Sequence, residues 1–591
     1  MLLTPIVLFV ILMILLYVPP VQNFIRKQAT AIASDATGMN ISVERIDLRF
    51  PLNLLVRGVQ VVQSEADAAD VQHPDTLLNL GSLNVSVQAW PLLQGRVEVN
   101  DITLQQVAVN SSNLLEGMHI KGTLGRFFLE SHGIDLKKED AILNNVELSN
   151  THMQVMLADT TETPKDSTET AVNWRIALHN LKLKNVSVDL QMPLDSMALG
   201  ANIGDASIED ANVDLKRQFY GWRRFTLTES AVNYDLGMAA PVEGFDASHI
   251  ALRDIRIGID SVMACGRDMN AIIREFSMYD RSGLTVTSLT GRLFADSTLI
   301  RIPYLQLKTP HSDMDLTAQT YWKLVDIPTT GHLSARFNAN IGKQDVLLFA
   351  GGLPETFKEA YPFRPLVIHA GTEGNLKQMQ ISRFTAELPG AFFLSGGGEL
   401  WNLTDSLTRN GGLDFEMQTQ DLNFLTGLTG VTPDGSIIMP DSMNLVARLG
   451  LDGPQCNAIL KIKEGEGSLG LDAAYNLNTE VYHADLAIDA LQLHHFLPKD
   501  SIYTLTARVT AKGQGVDVAS HKTIARVEAK LDELQYACWN ISGVDLDAGL
   551  KSSVASVHLT SDNALLKMQT EADMRLDRKY MDGKLLSLIH I

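Results

Sequence analysis

Between Leu566 and Asp577 apolar and polar residues take strict turns. Leu566, Met568, Thr570, Ala572, Met574 and Leu576 are apolar or small, and Lys567, Gln569, Glu571, Asp573, Arg575 and Asp577 are polar. A period of two is that of a β-strand with one dry face and one wet face. Twelve such residues extend about 40 Å at ~3.3 Å each, longer than the usual strand. The same alternation recurs over most of the chain, which predicts a mainly β fold with a large apolar sheet surface to cover.

Further examples fix where that surface lies. Leu83, Val85 and Val87 alternate before a Trp90-Pro91 corner, and Val97 and Val99, Ile102 and Leu104, and Val107 and Val109 follow. The phase slips by one residue at Asn100-Asp101 and again at Gln105-Gln106; turns or bulges there would keep the apolar set on one face. NNVELSNTHMQV (144–155), HNLKLKNVSVDL (179–190) and GDASIEDANVDL (204–215) are loosely alike, at unequal spacings of 35 and 25 residues, an irregular repeat. The second of them alternates through Leu181, Leu183, Val186, Val188 and Leu190. Alternation returns in 502–513, with Leu505 and Val509, and in 525–532, with Val527 and Leu531. Helical periodicity is sparse: residues 343–352 and 354–361 read as short helices in a connection. Polar loops are expected at 63–75, 159–170 and 430–442, the first two suited to disorder.

The N-terminal stretch LLTPIVLFVILMILLYV (2–18) carries no charge and is at the short end of what spans a bilayer core. It ends in YVPPVQNF without a small-x-small cleavage site, so it reads as an uncleaved transmembrane anchor. Arg26 and Lys27 after it would, alone, place the bulk of the chain in the cytoplasm; the preceding flank is almost absent, and the start of the protein is expected upstream. Phe24–Ala33 reads as a short amphipathic helix stopped at Thr37-Gly38. Ile41, Val43, Ile46 and Leu48 then begin strand-like pairing.

Several function classes have no support. A formal net charge of −20 offers no cationic surface for nucleic acid. Cys265, Cys456 and Cys538 are too few and too scattered for structural zinc or a disulfide scaffold; they read as buried free thiols, with one fortuitous disulfide left open. His494-His495, on a strand, would face opposite sides and share no metal ion. His73–Asp75 and His311–Asp315 read as polar turns. The glycines of SGGGEL (395–400) lack the strand–loop–helix setting and the Lys of a phosphate loop, and fit a glycine bulge in a curved sheet. No nucleophile–base set stands out, so no enzyme activity, metal or cofactor is expected.

One-sided strands can pair into sandwiches, close into a barrel, or form a curved sheet that holds something apolar. Sandwich domains would show boundaries about every 100 residues, and these are missing. A membrane barrel would carry aromatic girdles, but aromatics are 6% of the chain. The expectation is an elongated, twisted, partly rolled antiparallel sheet behind an N-terminal transmembrane helix.

The anchor end YVPPVQNFI, the segment TGMNISVERIDLRFPLNLLVRGVQV and the corner WPLLQGRVEVNDITL together resemble the N-terminal part of the AsmA-like superfamily, in its TamB-type (translocation and assembly module) form from Bacteroidetes-like bacteria. The resemblance covers the chain diffusely and residues 15–110 best. It implies an inner-membrane anchor and a periplasmic repeating β-groove, or β-taco, that carries phospholipids toward the outer membrane. A second implied role is outer-membrane barrel assembly with a TamA- or BamA-like partner. Members are usually longer, so the chain reads as an N-terminal fragment, and LLSLIHI at its end reads as non-native. The expected organisation is an anchor at 1–18, a helix and first strands at 19–77, groove at 78–342, a helical insertion at 343–365, groove at 366–584 and the tail at 585–591. The groove would be lined by Val85, Val87, Val97, Val99, Ile102, Leu104, Val107, Val109, Leu181, Leu183, Val186, Val188, Leu190, Leu505, Val509, Val527, Leu531, Leu566, Met568, Met574 and Leu576. Alternation fixes which side is dry but not what covers it. A closed β-rich structural or adhesin-like protein is the alternative.

Overall fold

A computed structural model describes residues 19–37, 39–49, 53–62, 76–88, 99–111, 118–135, 138–157, 173–429, 435–517, 520–564, 567–576 and 581–590. The expected anchor, the Trp90-Pro91 corner, Val97, His73–Asp75, Leu566 and the loops at 63–75 and 159–170 lie outside these residues. The described residues are mainly β, with 31 strands in mixed sheet that is not closed. The chain divides into two compact units, one of residues 1–297 and 305–310, the other of 298–304 and 311–591.

The first unit opens with helix α1 (Pro19–Thr37) and continues through β1 (Asn40–Arg49), β2 (Asn53–Val62), β3 (Thr76–Val87), β4 (Val99–Asn110), β5 (Met118–Asp135), β6 (Asp140–Leu157), β7 (Arg175–Met192), β8 (Met197–Asp214), β9 (Phe219–Leu236), β10 (His249–Cys265), β11 (Asp268–Asp280), β12 (Thr285–Val286) and β13 (Ser288–Ala295). The division falls within β14 (Leu299–Lys308). The second unit holds β15 (Asp313–Tyr321), α2 (Trp322–Asp326), β16 (Leu333–Ile341), α3 (Lys343–Leu348), α4 (Glu355–Ala360), β17 (Leu366–Asn375), β18 (Gln378–Leu388), β19 (Phe392–Trp401), β20 (Asn410–Thr419), β21 (Asn444–Asp452), β22 (Gln455–Glu464), β23 (Gly467–Asn476) and β24 (Val481–Gln492). It ends with β25 (Ile502–Gln514), β26 (Ile524–Tyr536), β27 (Trp539–Ile541), β28 (Val544–Lys551), β29 (Val554–Asp562), β30 (Lys567–Leu576) and β31 (Met581–His590). Residues 585–590, set aside above as a tail, therefore lie in a strand.

Helix α1 is longer than the sequence pattern indicated. It begins at Pro19-Pro20, where missing amide protons cost nothing in a first helical turn. It runs beside the free edge of β1 and occupies its main chain: Gln22 Nε2 donates to Leu48 O (3.3 Å), Arg26 Nη1 to Glu44 O (2.6 Å), and the Ile41 amide to Ser34 Oγ (3.1 Å). An unpaired strand edge is a template for aggregation, and the helix blunts it. Among the described residues no helix is long and apolar enough to cross a membrane.

Within each unit most strands pair with the next in sequence, β11 pairing also with β13 and β26 with β28, and the described pairings are antiparallel with one exception. β6 and β7 are parallel, in register from Asp140↔Arg175 to Met156↔Gln191. The antiparallel expectation is corrected here. Residues 158–174 between the two strands provide the dozen or more residues that a parallel crossover needs. The 35-residue spacing of the first two similar segments is this register, because Asn145 pairs with Asn180 and Val155 with Leu190.

Both phase slips foreseen in β4 are present. Asn100 is skipped where Ser86 pairs with Asp101 and Val87 with Val99, and Gln106 is skipped with left-handed backbone, φ 55°. The slip at Gln106 belongs to a line that crosses the unit. Glu44, Gly58, Gly81, Gln106, Gly125, Asn150, Asn185 and Gly204, one per strand from β1 to β8, are all passed over in the pairing. Gly58, Gln106, Asn150 and Asn185 have φ between 51° and 61°. On each strand the dry-face positions flanking the line are three residues apart rather than two, as with Leu183 and Val186 or Leu148 and Thr151. On β2, β4, β6 and β7 the residue at that point is left-handed, and the skipped position restores the phase, so both sides of the line keep the same face dry. Glycine is required where the neighbouring strand bulges inward: a Cβ on Gly204 would lie 2.4 Å from Glu229 O and 2.7 Å from Glu229 Cβ.

Several local expectations change. His494 and His495 sit in a short 3-10 turn after β24, not on a strand, and their rings lie 4.2 Å apart. Asp313 and Asp315 are in β15 rather than a turn, where Asp315 accepts from Asn338 Nδ2 (2.8 Å). The extra residue near SGGGEL is on the opposing strand: Ser382 and Arg383 of β18 face the single Gly397 of β19. The three thiols are free; Cys538 is exposed, and Cys265 and Cys456 are half-buried rather than buried.

Candidate functional site: the apolar face

Paired residues in adjacent strands share a face, so the register assembles the dry side row by row. In the first unit one row reads Leu48, Leu54, Val85, Ile102, Leu129, Val146, Leu181, Ile208, Phe225, Ile259 and Ile273, from β1 to β11 without a polar member. A second runs Ile46, Val56, Leu83, Leu104, Phe127, Leu148, Leu183, Ala206, Leu227, Ile257 and Phe276 over the same strands. The alternate row beside them contains Asp47, Asn84, Thr103, Glu147, Lys182, Ser207, Thr226 and Glu275 and faces the other way.

The second unit repeats the arrangement with smaller side chains. Leu413, Leu449, Ala458, Ala473, Ala484, Ala511, Val527, Ala548, Val557 and Ala572 form one row from β20 to β30. Phe415, Leu460, Leu471, Leu486, Val509, Leu546 and Leu559 belong to its neighbour.

Of the expected residues, those that the structure describes are paired as follows within each unit, Val97 and Leu566 lying outside the described residues. Val85 meets Ile102 and Val87 meets Val99, while Leu104, Val107 and Val109 pair with Leu83, Leu80 and Leu78. Leu181, Leu183, Val186, Val188 and Leu190 pair with Ile208, Ala206, Ile203, Ala201 and Leu199. Leu505 pairs with Leu491 and Leu534, Leu531 with Ala507 and Val544, Met568 with Ser561, and Met574 with Ala555. Leu576 is in β30, paired with Met581. The sequence reading missed the faces of β17–β24, although Leu445, Ala447, Leu449 and Leu451 alternate in NLVARLGLD just as clearly.

Burial along this face is uneven. Val186 is 6% exposed, whereas Val109 is 37% and Met574 40% exposed. Between β19 and β24 the face is hollow: Leu400, Leu413, Leu449, Leu451, Cys456, Tyr475 and Tyr482 help line a cavity of about 530 Å³. That volume is in the ~300–1,000 Å³ range of small-molecule sites, and its lining is apolar.

Among the described residues, buried apolar clusters form at two places. One joins Ile255, Met278 and Val286 in β10–β12. The other covers one strand end of the second unit. Residues 343–361, 423–429, 435–443 and 493–496 lie at that end, and they contribute Phe357, Tyr361, Phe424, Met443 and Phe496, which pack on Leu388, Phe392 and Ile462 of the sheet. Burial raises the Tyr361 phenol above its usual range and lowers the Lys343 ammonium, the latter against the nearby Glu359 carboxylate. Lys343 Nζ donates to Glu359 O (3.1 Å) and lies 4.4 Å from the Phe363 ring centre. His495 Nδ1 lies 2.6 Å from Oε1 of the buried Glu464.

The wet face carries paired charges. Arg223 donates to Asp210 (2.7 Å), which His179 also meets at 3.1 Å, and these two hydrogen bonds hold the Asp210 carboxyl below the usual carboxylate range. Arg526 grips Asp547 with two hydrogen bonds (3.1 and 2.7 Å) and lowers it in the same way. Such pairs between exposed groups add little stability singly.

Comparison with protein-family models and with curated proteins returns no match.

Proposed function

We propose that the chain is a membrane-anchored conduit for phospholipids of the AsmA-like, TamB-type kind, with residues 2–18 as its inner-membrane anchor and the sheet in the periplasm. Acyl tails would lie on the apolar rows and headgroups would remain in water. The observation that carries the reading is the uninterrupted row from Leu48 to Ile273, eleven strands without a polar side chain on a face where a buried apolar cluster forms only at β10–β12 among the described residues. A sheet that merely needed a core would bury such residues under a second layer. Moving a sixteen-carbon tail through water costs about 13 kcal/mol at ~0.8 kcal/mol per methylene, and an apolar path removes most of that barrier. Nothing in the rows distinguishes one headgroup from another, so headgroup selectivity should be low.

The test is a charge on the dry face. Val188→Asp should abolish phospholipid transfer between donor and acceptor vesicles while leaving the thermal transition in place. Gln191→Asp, on the opposite face of the same strand, should leave both intact. Transfer by the Val188→Asp chain at the wild-type rate would contradict the proposal.

A further inference from the structure

The covered strand end of the second unit differs from the open one in a way that bears on how much of the face a ligand can use. Three insertions far apart in sequence meet there and are tied to each other as well as to the sheet. Thr356 Oγ1 donates to Gly427 O (2.6 Å), the Ile438 amide to Phe496 O (2.9 Å), and the Gln420 amide to Ala391 O (2.7 Å). Phe357, Tyr361 and Phe424 stack with ring centres 5.5–5.9 Å apart. Beneath them Leu388 and Ala391 are 1% exposed.

Moving along the strands away from this cap, the next apolar row but one contains Phe384 and Phe415, whose rings meet edge to face at 6.5 Å. The two rings flank Gly396, and a Cβ on that glycine would come within 2.3 Å of the Phe415 ring. Beyond this pair the face opens, and Leu449 is 46% exposed at the edge of the apolar cavity.

We propose that the cap is a fixed ceiling: its side chains permanently occupy the apolar face at the cap end, and the Phe384–Phe415 pair is the wall where the usable face begins. An acyl chain passing through this unit is then confined to the strand ends away from the cap, along Leu413, Leu449 and Leu451. The device limits how many tails travel abreast, and it rests on the lipid reading above. It is a ceiling rather than a hinged lid because its parts interlock with one another in the most completely buried cluster of the unit.

The experiment uses palmitic acid carrying a terminal diazirine, incubated with the full chain and irradiated, with adducts mapped by peptide mass spectrometry. Adducts should fall on peptides 410–418 and 444–460 and stay at background on 388–394, 355–361 and 423–429. A Phe424→Ala chain, checked for folding by circular dichroism, should gain adducts at 388–394. Equal labelling of both sets in the wild type would overturn the ceiling while leaving the lipid path standing. Labelling of neither set would overturn both.

Discussion

Asn185 offers the sharpest test of how the first unit keeps one face dry across a phase slip. Its backbone is left-handed, φ 52°, and its Nδ2 donates to Asn150 Oδ1 at 3.2 Å on the neighbouring strand. For a side chain branched at Cβ the left-handed conformation costs roughly 1–2 kcal/mol. Loss of the side-chain hydrogen bond adds about 0.5–1.5 kcal/mol, at the low end because the pair is exposed. Asn185→Val should therefore destabilise β6–β8 by about 2 kcal/mol. Asn185→Gly loses the same hydrogen bond but removes the backbone cost, so it should be within about 0.5 kcal/mol of wild type. Lys184→Val, one residue earlier and outside the line, is the control and should shift stability by only a few tenths. Because a chain of two units need not unfold in one step, the assay is native-state hydrogen exchange of amides 144–156 and 179–190. Equal protection in the Val and Gly variants would refute the argument, since it would mean that the left-handed position carries no constraint.

Three other perturbations test separate parts of the account. Leu388→Ala removes a side chain that is 1% exposed under the cap and should cost about 2–5 kcal/mol, seen as faster exchange in 343–361 and 423–443 with 554–576 unchanged. Arg26→Ala frees the Glu44 carbonyl on the edge of β1 and should speed exchange in 40–49 and make self-association concentration-dependent, measured by light scattering. Asp210 titrates below the usual aspartate value of about 4, so the contribution of its pairs with Arg223 and His179 is complete above that value and disappears as pH falls through the lower folded one. Protection of amides 205–228 should fall over that acid window, and Arg223→Gln should flatten the dependence.

What could be read from the sequence followed the physics of the strand. Period-two alternation identified the dry face, and the slips at Asn100 and Gln106 were visible because an apolar residue arrived one place late. Their meaning as one line through eight strands was hidden, since Gly58, Gly81, Gln106, Gly125, Asn150 and Asn185 share a register and not a residue type. The parallel pairing of β6 and β7 was present as a 35-residue spacing, but alternation is the same for either strand direction. The cap was illegible for a different reason. Phe357, Phe424 and Phe496 come from three separate connections, and no local period links them. Short apolar runs such as NFLTGLT can read as strand, helix or loop until a partner surface is present.

The central claim is that acyl tails, rather than more polypeptide, cover most of the apolar rows. Native mass spectrometry of the full chain released from detergent tests it most directly. The account predicts retained phospholipid of mixed headgroup, lost from the Val188→Asp chain. A chain that emerges free of lipid under conditions that preserve its fold would contradict it.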